Sequence, residues 1–255
     1  MGIKQILLSV VAMCGIVGAG AKPATEVVAH RGYWKAEGSA QNSVASLKKA
    51  IEIGARGSEC DVYITTDGVV VVHHDPTIDG KRIDESTYAA LKDCKLSNGE
   101  AIPTLDELLA IARKQKHTKL IIEIKSHNTQ EKEAAAVDAV LKLVKKNKMD
   151  KLVEYISFSQ NVCERLIALS PKAKVAYLGS DLTPKQLSDK GYTGLDYHIG
   201  AMRAHEEWFD EAKQLGLEVN VWTVDDEPNM KWLIGKGVTY ITTPEPVMLQ
   251  KLLAE

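Results

Sequence analysis

The sequence predicts a (β/α)8 TIM barrel with a small insertion after the second strand. Short apolar segments recur eight times, each leading towards a stretch whose apolar residues repeat at helical spacing. The 255-residue chain has the length such a barrel uses. Acidic residues also interrupt the second and third segments near their C-terminal ends, where barrels of this kind build active sites. An open doubly wound sheet would share the alternation, but no G-x-G-x-x-G turn follows the first strand.

Ahead of the barrel, Lys4 is the only charged residue before Lys22, Ile6 to Val17 is nearly all apolar, and Ala19-Gly20-Ala21 offers an A-x-A cleavage pattern. Residues 1–21 therefore read as a secretory signal peptide, too short for a comfortable membrane span. Residues 22–255 are expected to form a single exported domain, periplasmic or secreted. A lipoprotein signal lipidated at Cys14 is the alternative, with Met13 an awkward neighbour.

The first strand is predicted at Glu26–His30 and its helix at Val44–Ile53. The second strand, Gly57–Val62, opens the insertion, about residues 66–102. It holds an Asp67-Gly68 turn, a return strand Val69–Val72 and a helical patch near Glu85–Leu91. Thr104 and Glu107 then form a T-x-x-E capping box that opens the second barrel helix, Leu105–Lys114. Strands follow at Lys119–Ile124, Val153–Phe158, Lys174–Leu178, Thr193–Asp196, Leu217–Thr223 and Gly237–Thr242. Helices lie between and after them at Gln130–Lys146, Asn161–Leu169, Pro184–Asp189, Glu206–Leu215, Glu227–Ile234 and Pro246–Leu253.

Beyond residue 21 only Cys60, Cys94 and Cys163 remain, so an apolar core and not a disulfide framework must hold the fold. The formal net charge of −2 and the absence of a basic run give no reason to expect nucleic acid. No later apolar segment is long enough to cross a bilayer, and nothing points to a protein partner.

Side chains two apart on a strand share a face, so Glu59 and Asp61 point one way while Cys60 and Val62 point the other. With the apolar pair packed outward, both acids enter the barrel. Glu123 does the same from the third strand, with Lys125 on its face. Three converging carboxylates repel one another unless a positive charge joins them, and an all-oxygen set suits a hard divalent ion, Mg²⁺ or Ca²⁺. Salt bridges of Glu123 with Lys125 and Glu59 with Arg56 are the alternative. At the same rim, Ala29-His30-Arg31-Gly32 ends the first strand and the return strand delivers His73 and His74, of which one faces the site. Imidazoles there suit proton transfer near neutral pH.

Taken in order, His30-Arg31-Gly32, Gln41-Asn42-Ser43, Glu59-x-Asp61, Thr66-Asp67-Gly68, His74-Asp75-Pro76-Thr77, Ile102-Pro103-Thr104-Leu105, Glu123-Ile124-Lys125 and Val221-Trp222-Thr223-Val224 resemble the glycerophosphodiester phosphodiesterase family. The resemblance runs from Val28 to about Gly237. It implies a (β/α)8 barrel that hydrolyses glycerophosphodiesters to glycerol 3-phosphate and an alcohol. It implies Glu59, Asp61 and Glu123 as ligands of a divalent metal and His30 and His74, rather than His73, as the catalytic pair. It further implies Arg31 and Lys125 on the phosphate and Trp222 at the substrate end. Two departures stand out: Gln41 replaces a usual Glu, and Thr243-Pro244 replaces a usual Thr-Asp.

Two other functions share some of these features. A phospholipase D-like or lysophospholipid phosphodiesterase would use Tyr33 and Trp34 as an apolar lip. A non-catalytic phosphate- and metal-binding protein would account for Gln41. His117, His127, His198 and His205 take surface or structural readings.

Overall fold

The computed structural model describes residues 25–255. The signal-peptide and Cys14 readings fall outside the described residues. In chain order the first elements are β1 (Glu26–Ala29), α1 (Val44–Glu52), β2 (Gly57–Ile64), β3 (Val70–Val72), β4 (Thr77–Ile78), β5 (Lys81–Arg82), α2 (Tyr88–Leu91) and α3 (Leu105–Ala112). They continue with β6 (Lys119–Ile124), α4 (Gln130–Asn147), β7 (Val153–Ser157), α5 (Gln160–Leu169), β8 (Val175–Tyr177) and α6 (Pro184–Asp189). The last are β9 (Gly194–His198), α7 (Ile199–Ala204), α8 (Glu207–Gln214), β10 (Glu218–Trp222), α9 (Glu227–Lys236), β11 (Tyr240–Thr243) and α10 (Pro246–Leu253).

Strands β1, β2, β6, β7, β8, β9, β10 and β11 lie side by side in that order, and β1 pairs in parallel with both β2 and β11, which closes the barrel. Alternation along each strand sorts its side chains. Cys60, Val62, Leu120, Ile122, Ile124, Leu195, Tyr197, Val219 and Val221 face out and pack against Leu108, Leu109, Val137, Val140 and Leu166 of the helical shell. Truncating one of these buried aliphatics to Ala would cost about 2–5 kcal/mol. Val28, Ile121, Ile156, Leu178 and Tyr240 pack against one another in the barrel interior. Gly57 leaves room there for Ile121, whose Cδ1 would lie 2.7 Å from a Cβ at that position.

The predicted elements are present, with ends shifted by a few residues. The Thr104–Glu107 capping box is formed in full at the start of α3. Between β2 and α3 the chain builds a small core of its own from Tyr63, Val71, Ile78, Ile83, Leu91, Cys94 and Ile102. β3 runs antiparallel to the end of β2, pairing Val62 with Val72 and Ile64 with Val70. The expected tight Asp-Gly turn joins them: Thr66-Asp67-Gly68 is a three-residue loop with Gly68 at φ 80°, closed by Thr65 N donating to Val69 O and Gly68 N donating to Thr65 O. A second Asp-Gly turn, not singled out in the sequence, lies at Asp79-Gly80, where both residues have positive φ and join β4 to β5. Helix α7 was not expected: its six residues carry no sustained period, and the His198 side chain caps it by accepting from Gly200 N at 3.1 Å.

The opposite, N-terminal mouth is closed by ions. Arg56 makes two 2.7 Å hydrogen bonds to Glu154 and one of 2.8 Å to the Tyr240 hydroxyl, which donates to Glu218. Lys174 pairs with Glu218 at 2.5 Å. This corrects the salt-bridge alternative: Arg56 follows the helix-to-strand turn at the bottom of β2, so it serves Glu154 there and not Glu59. Among the described residues, all three cysteines are buried and free, and no helix is long and apolar enough to cross a membrane.

Candidate active site

The C-terminal ends of the strands deliver the site. Asp61 and Glu123 occupy paired positions of β2 and β6, and Glu59 lies one inward position below. One carboxylate oxygen from each lies within 4.8 Å of the others, and all three residues are buried. Lys125 Nζ sits 2.7 Å from both Asp61 Oδ1 and Glu123 Oε1. The pairing of Glu123 with Lys125 is therefore present, within the carboxylate cluster and not in place of it.

The loop after β1 wraps this cluster. Arg31 adopts φ 55°, which turns its N–H onto Glu59 Oε2 at 2.7 Å, and Gly32 continues at φ 76°. A Cβ on Gly32 would strike the backbone of Ser46 at 2.7 Å, so α1 can approach only glycine there. The Arg31 guanidinium donates to Gln41 Oε1 at 2.6 Å and lies 3.6 Å from Asp61. The family departure at Gln41 thus keeps an acceptor for Arg31 without a charge. Asn42 Nδ2 donates to Asp61 Oδ2 at 2.7 Å while Asp61 N donates back to Asn42 Oδ1 at 3.1 Å.

Burial opposes the charge on Asp61, but Lys125, Asn42 and Arg31 hold its carboxyl down at about 2. Burial raises Glu59 and Glu123 instead, with the neighbouring carboxylates adding to the rise. Glu59 Oε1 is buried with no hydrogen-bond partner. An orphaned oxygen within a three-carboxylate, all-oxygen donor set is what a hard divalent cation fits.

His30 extends the β1–β11 ladder by donating its backbone N–H to Thr243 O at 3.0 Å, and burial, followed by the nearby Arg31 charge, lowers its imidazole to about 4. His74 lies two residues beyond the end of the return strand β3. Its Nδ1 lies 2.7 Å from Asp75 Oδ1, and burial is the main cause of its lowered pKa. A cavity of about 200 Å³ is lined by His30, Arg31, Glu59, His74, Glu123, Lys125 and Trp222, with Ile156, Phe158, Leu178, Asp196, Thr223 and Thr242 completing its wall. Asp61 lies beneath it, 1 % exposed. All eight residues singled out in the sequence are thus brought to one place.

His73 stays outside this cavity, with Nδ1 2.9 Å from the Asp75 carbonyl, and lines a neighbouring cleft of about 710 Å³ with Trp34, Lys35, Gln41 and Lys95. His74 lines both spaces. Tyr33 is no lip residue: it packs on Ala29, Ala50 and Ala55 beneath α1. At the second departure, Thr243 Oγ1 accepts from Glu245 N at 2.9 Å and Glu245 pairs with Lys35. His127 is structural, its Nδ1 2.8 Å from Lys125 O, and His205 stacks on Trp208 at 4.1 Å.

Apart from Trp222, sequence reasoning missed the opposite wall. Trp222 donates from Nε1 to Asp196 O at 2.8 Å and meets Phe158 and His198 edge-on. Asp196 is 2 % exposed, Oδ1 has no partner, and burial raises its carboxyl to about 7. The signal was available: Asp196 shares its inward face with Gly194 and His198, between the outward Leu195 and Tyr197, the same parity argument that found Glu59 and Asp61.

Residues 30–248 match the Glycerophosphoryl diester phosphodiesterase family. The chain belongs to that family. It is accordingly an enzyme of the phosphodiesterase class. It is 49 % identical to a crystallised glycerophosphodiester phosphodiesterase from Parabacteroides distasonis, with a TM-score of 0.90 over 92 % of this chain and 98 % of that one. A glycerophosphodiester phosphodiesterase structure from Thermotoga maritima superposes with a TM-score of 0.70 at 27 % identity, covering 89 % and 98 % of the two chains. The glycerophosphodiester phosphodiesterase of Caldanaerobacter subterraneus is 28 % identical over 245 residues, 90 % of this chain and 98 % of its own.

Proposed function

We propose that this member of the family hydrolyses glycerophosphodiesters to glycerol 3-phosphate and an alcohol, using His30 and His74 as its proton-transfer pair and Mg²⁺ or Ca²⁺ on Glu59, Asp61 and Glu123. The observation that carries the reading is the convergence of both imidazoles and the carboxylate cluster on one cavity of about 200 Å³.

A phosphodiester is anionic and its alkoxide leaves poorly. When bound, the divalent ion supplies positive charge that offsets the charge building on the phosphoryl oxygens. Arg31, held by Gln41, and Lys125, held by Asp61 and Glu123, place two further cations beside the same oxygens. His30 lines only the inner cavity, so we assign it to accept the proton of the attacking hydroxyl, a charge that nearby Asp61 favours on the imidazole. His74 carries a carboxylate orienter and borders the wider cleft, so it is suited to protonate the departing alcohol on its way out. The nucleophile we favour is the adjacent glycerol hydroxyl, already held in place. Its oxygen bonds to phosphorus as the bond to the alcohol breaks, and water then opens the cyclic phosphate. Residues 1–21 support export of the enzyme.

Product analysis with glycerophosphocholine tests class, substrate and cofactor together. Glycerol 3-phosphate and choline are expected with Mg²⁺ or Ca²⁺ and not after exhaustive EDTA treatment and dialysis. Undiminished activity in the metal-free protein would remove the ion from the reading.

A further inference from the structure

The catalytic cavity has two unlike walls. Arg31, Lys125, the three clustered carboxylates and both histidines form one, while Ile156, Phe158, Leu178 and the Trp222 ring form most of the other. Asp196 is the exception on the second wall. Its carboxyl is 2 % exposed, lines the cavity beside Thr242, and leaves Oδ1 without a hydrogen-bond partner. Among the described residues it has no ion pair, unlike the acids across the cavity. Leaving a buried carboxylate oxygen unsatisfied costs more than a typical hydrogen bond contributes, so the position makes sense if a ligand completes it.

The chemistry of that ligand follows from the charges. Asp196 gives a phosphate no positive partner, whereas the cations of the first wall attract it. What Oδ1 lacks is a hydrogen-bond partner, and the uncharged part of this substrate class is a polyol arm whose hydroxyls can supply one. We infer that Asp196 accepts a hydrogen bond from a free hydroxyl of the substrate's glycerol, and so selects deacylated glycerophosphodiesters over those whose glycerol carries an acyl chain. The inference rests on the proposed phosphodiesterase reading and adds the residue that reads the glycerol. Acylation removes the donor and would press a hydrocarbon chain on a buried carboxylate, a mismatch that a site built for a hydroxyl rejects strongly. A volume of about 200 Å³ also suits a small polyol phosphate better than a lipid tail.

Asp196→Asn and Asp196→Leu test this in the full-length, metal-supplied enzyme, with thermal unfolding to confirm that each folds. Calorimetric titration with sn-glycerol 3-phosphate and with inorganic phosphate separates hydroxyl recognition from phosphate recognition. Asp196→Leu is expected to weaken sn-glycerol 3-phosphate by about 10- to 100-fold, the cost of leaving a buried hydroxyl without its partner, and phosphate far less. Asp196→Asn, which keeps an acceptor, is expected to fall between. The kinetic counterpart is a smaller preference for glycerophosphocholine over 1-acyl lysophosphatidylcholine in Asp196→Leu. Equal loss for both titrants, or an unchanged substrate preference, would make Asp196 a structural residue only. Failure of the wild type to cleave either diester would overturn the activity reading instead, and the two titrations would still decide the role of Asp196.

Discussion

At the N-terminal mouth of the barrel, Arg56, Glu154, Lys174, Glu218 and Tyr240 bind one another in a closed network. At the C-terminal mouth a comparable set of acids and bases is held by fewer partners than it needs. Lys125 bridges two carboxylates, Arg31 turns one N–H and its guanidinium inward, and Glu59 Oε1 and Asp196 Oδ1 remain open. Both mouths bury charge on the same eight strands. The difference teaches that buried charge alone does not mark a functional site; buried charge with unmet valence does.

The strongest way to break the comparison is to remove the imidazoles that face the open mouth. His30→Ala and His74→Ala are each expected to lower kcat by roughly 10²–10⁴-fold while leaving the thermal unfolding midpoint near that of the wild type. Near-normal turnover in either variant would strike that histidine from the mechanism.

One carboxylate from each mouth gives the next largest contrast. Glu154→Gln removes a partner that Arg56 needs in a buried setting and should cost about 3–5 kcal/mol in urea unfolding, with kcat preserved. Glu59→Gln should do the reverse, abolishing activity with little loss of stability, because Glu59 Oε1 has no partner to lose and burial already disfavours its charge. Equal destabilisation by the two substitutions would mean that Glu59 is a structural acid.

Much of the open mouth was legible because β-strand parity is rigid. Acids two apart on β2, with Cys60 and Val62 between and after them, left only one way for Glu59 and Asp61 to point once the apolar pair packed outward. Glu123 and Lys125 followed by the same logic, and the order of motifs supplied His30, His74 and Trp222. Local sequence said less where long-range packing decides. Arg56 reads as a neighbour of Glu59, but its partner Glu154 is 98 residues away and at the other end of the barrel. The Asp79-Gly80 hairpin was overlooked because its strands are two residues each and show no alternation. Asp196 was overlooked because it ended a predicted strand that in fact continues to His198.

Proton linkage sharpens the contrast further. Burial opposes the charge on Glu154, but Arg56 lowers its carboxyl below the ordinary value, so its contribution is present above the unfolded value and is lost as pH falls through the folded one. Asp196 runs oppositely. With its carboxyl raised to about 7, the folded state keeps a proton that the unfolded chain has released, and stability declines as pH rises from about 4 to about 7. Asp196→Asn should therefore flatten the stability profile across that window, gaining on the order of a few kcal/mol over the wild type at pH 7.5. Parallel profiles for the two proteins would show that Asp196 is ionised in the fold and satisfied by a partner.

The smallest expected effect concerns the clasp beneath the open mouth. Asn42 sits at φ 60°, a region that Asn tolerates and Ala does not, and it exchanges two hydrogen bonds with Asp61. Asn42→Ala would mix two losses, the clasp and the backbone fit. Asn42→Gly keeps the backbone at ease and removes the clasp alone, so its cost should be about 1–3 kcal/mol, with Asn42→Ala worse by roughly 1–2 kcal/mol. If the clasp serves to aim Asp61, Asn42→Gly should also raise the concentration of Mg²⁺ or Ca²⁺ needed for half-maximal activity. If only stability falls, Asn42 belongs with the closed network of the other mouth, and Lys125 and Arg31 suffice to hold Asp61 in place.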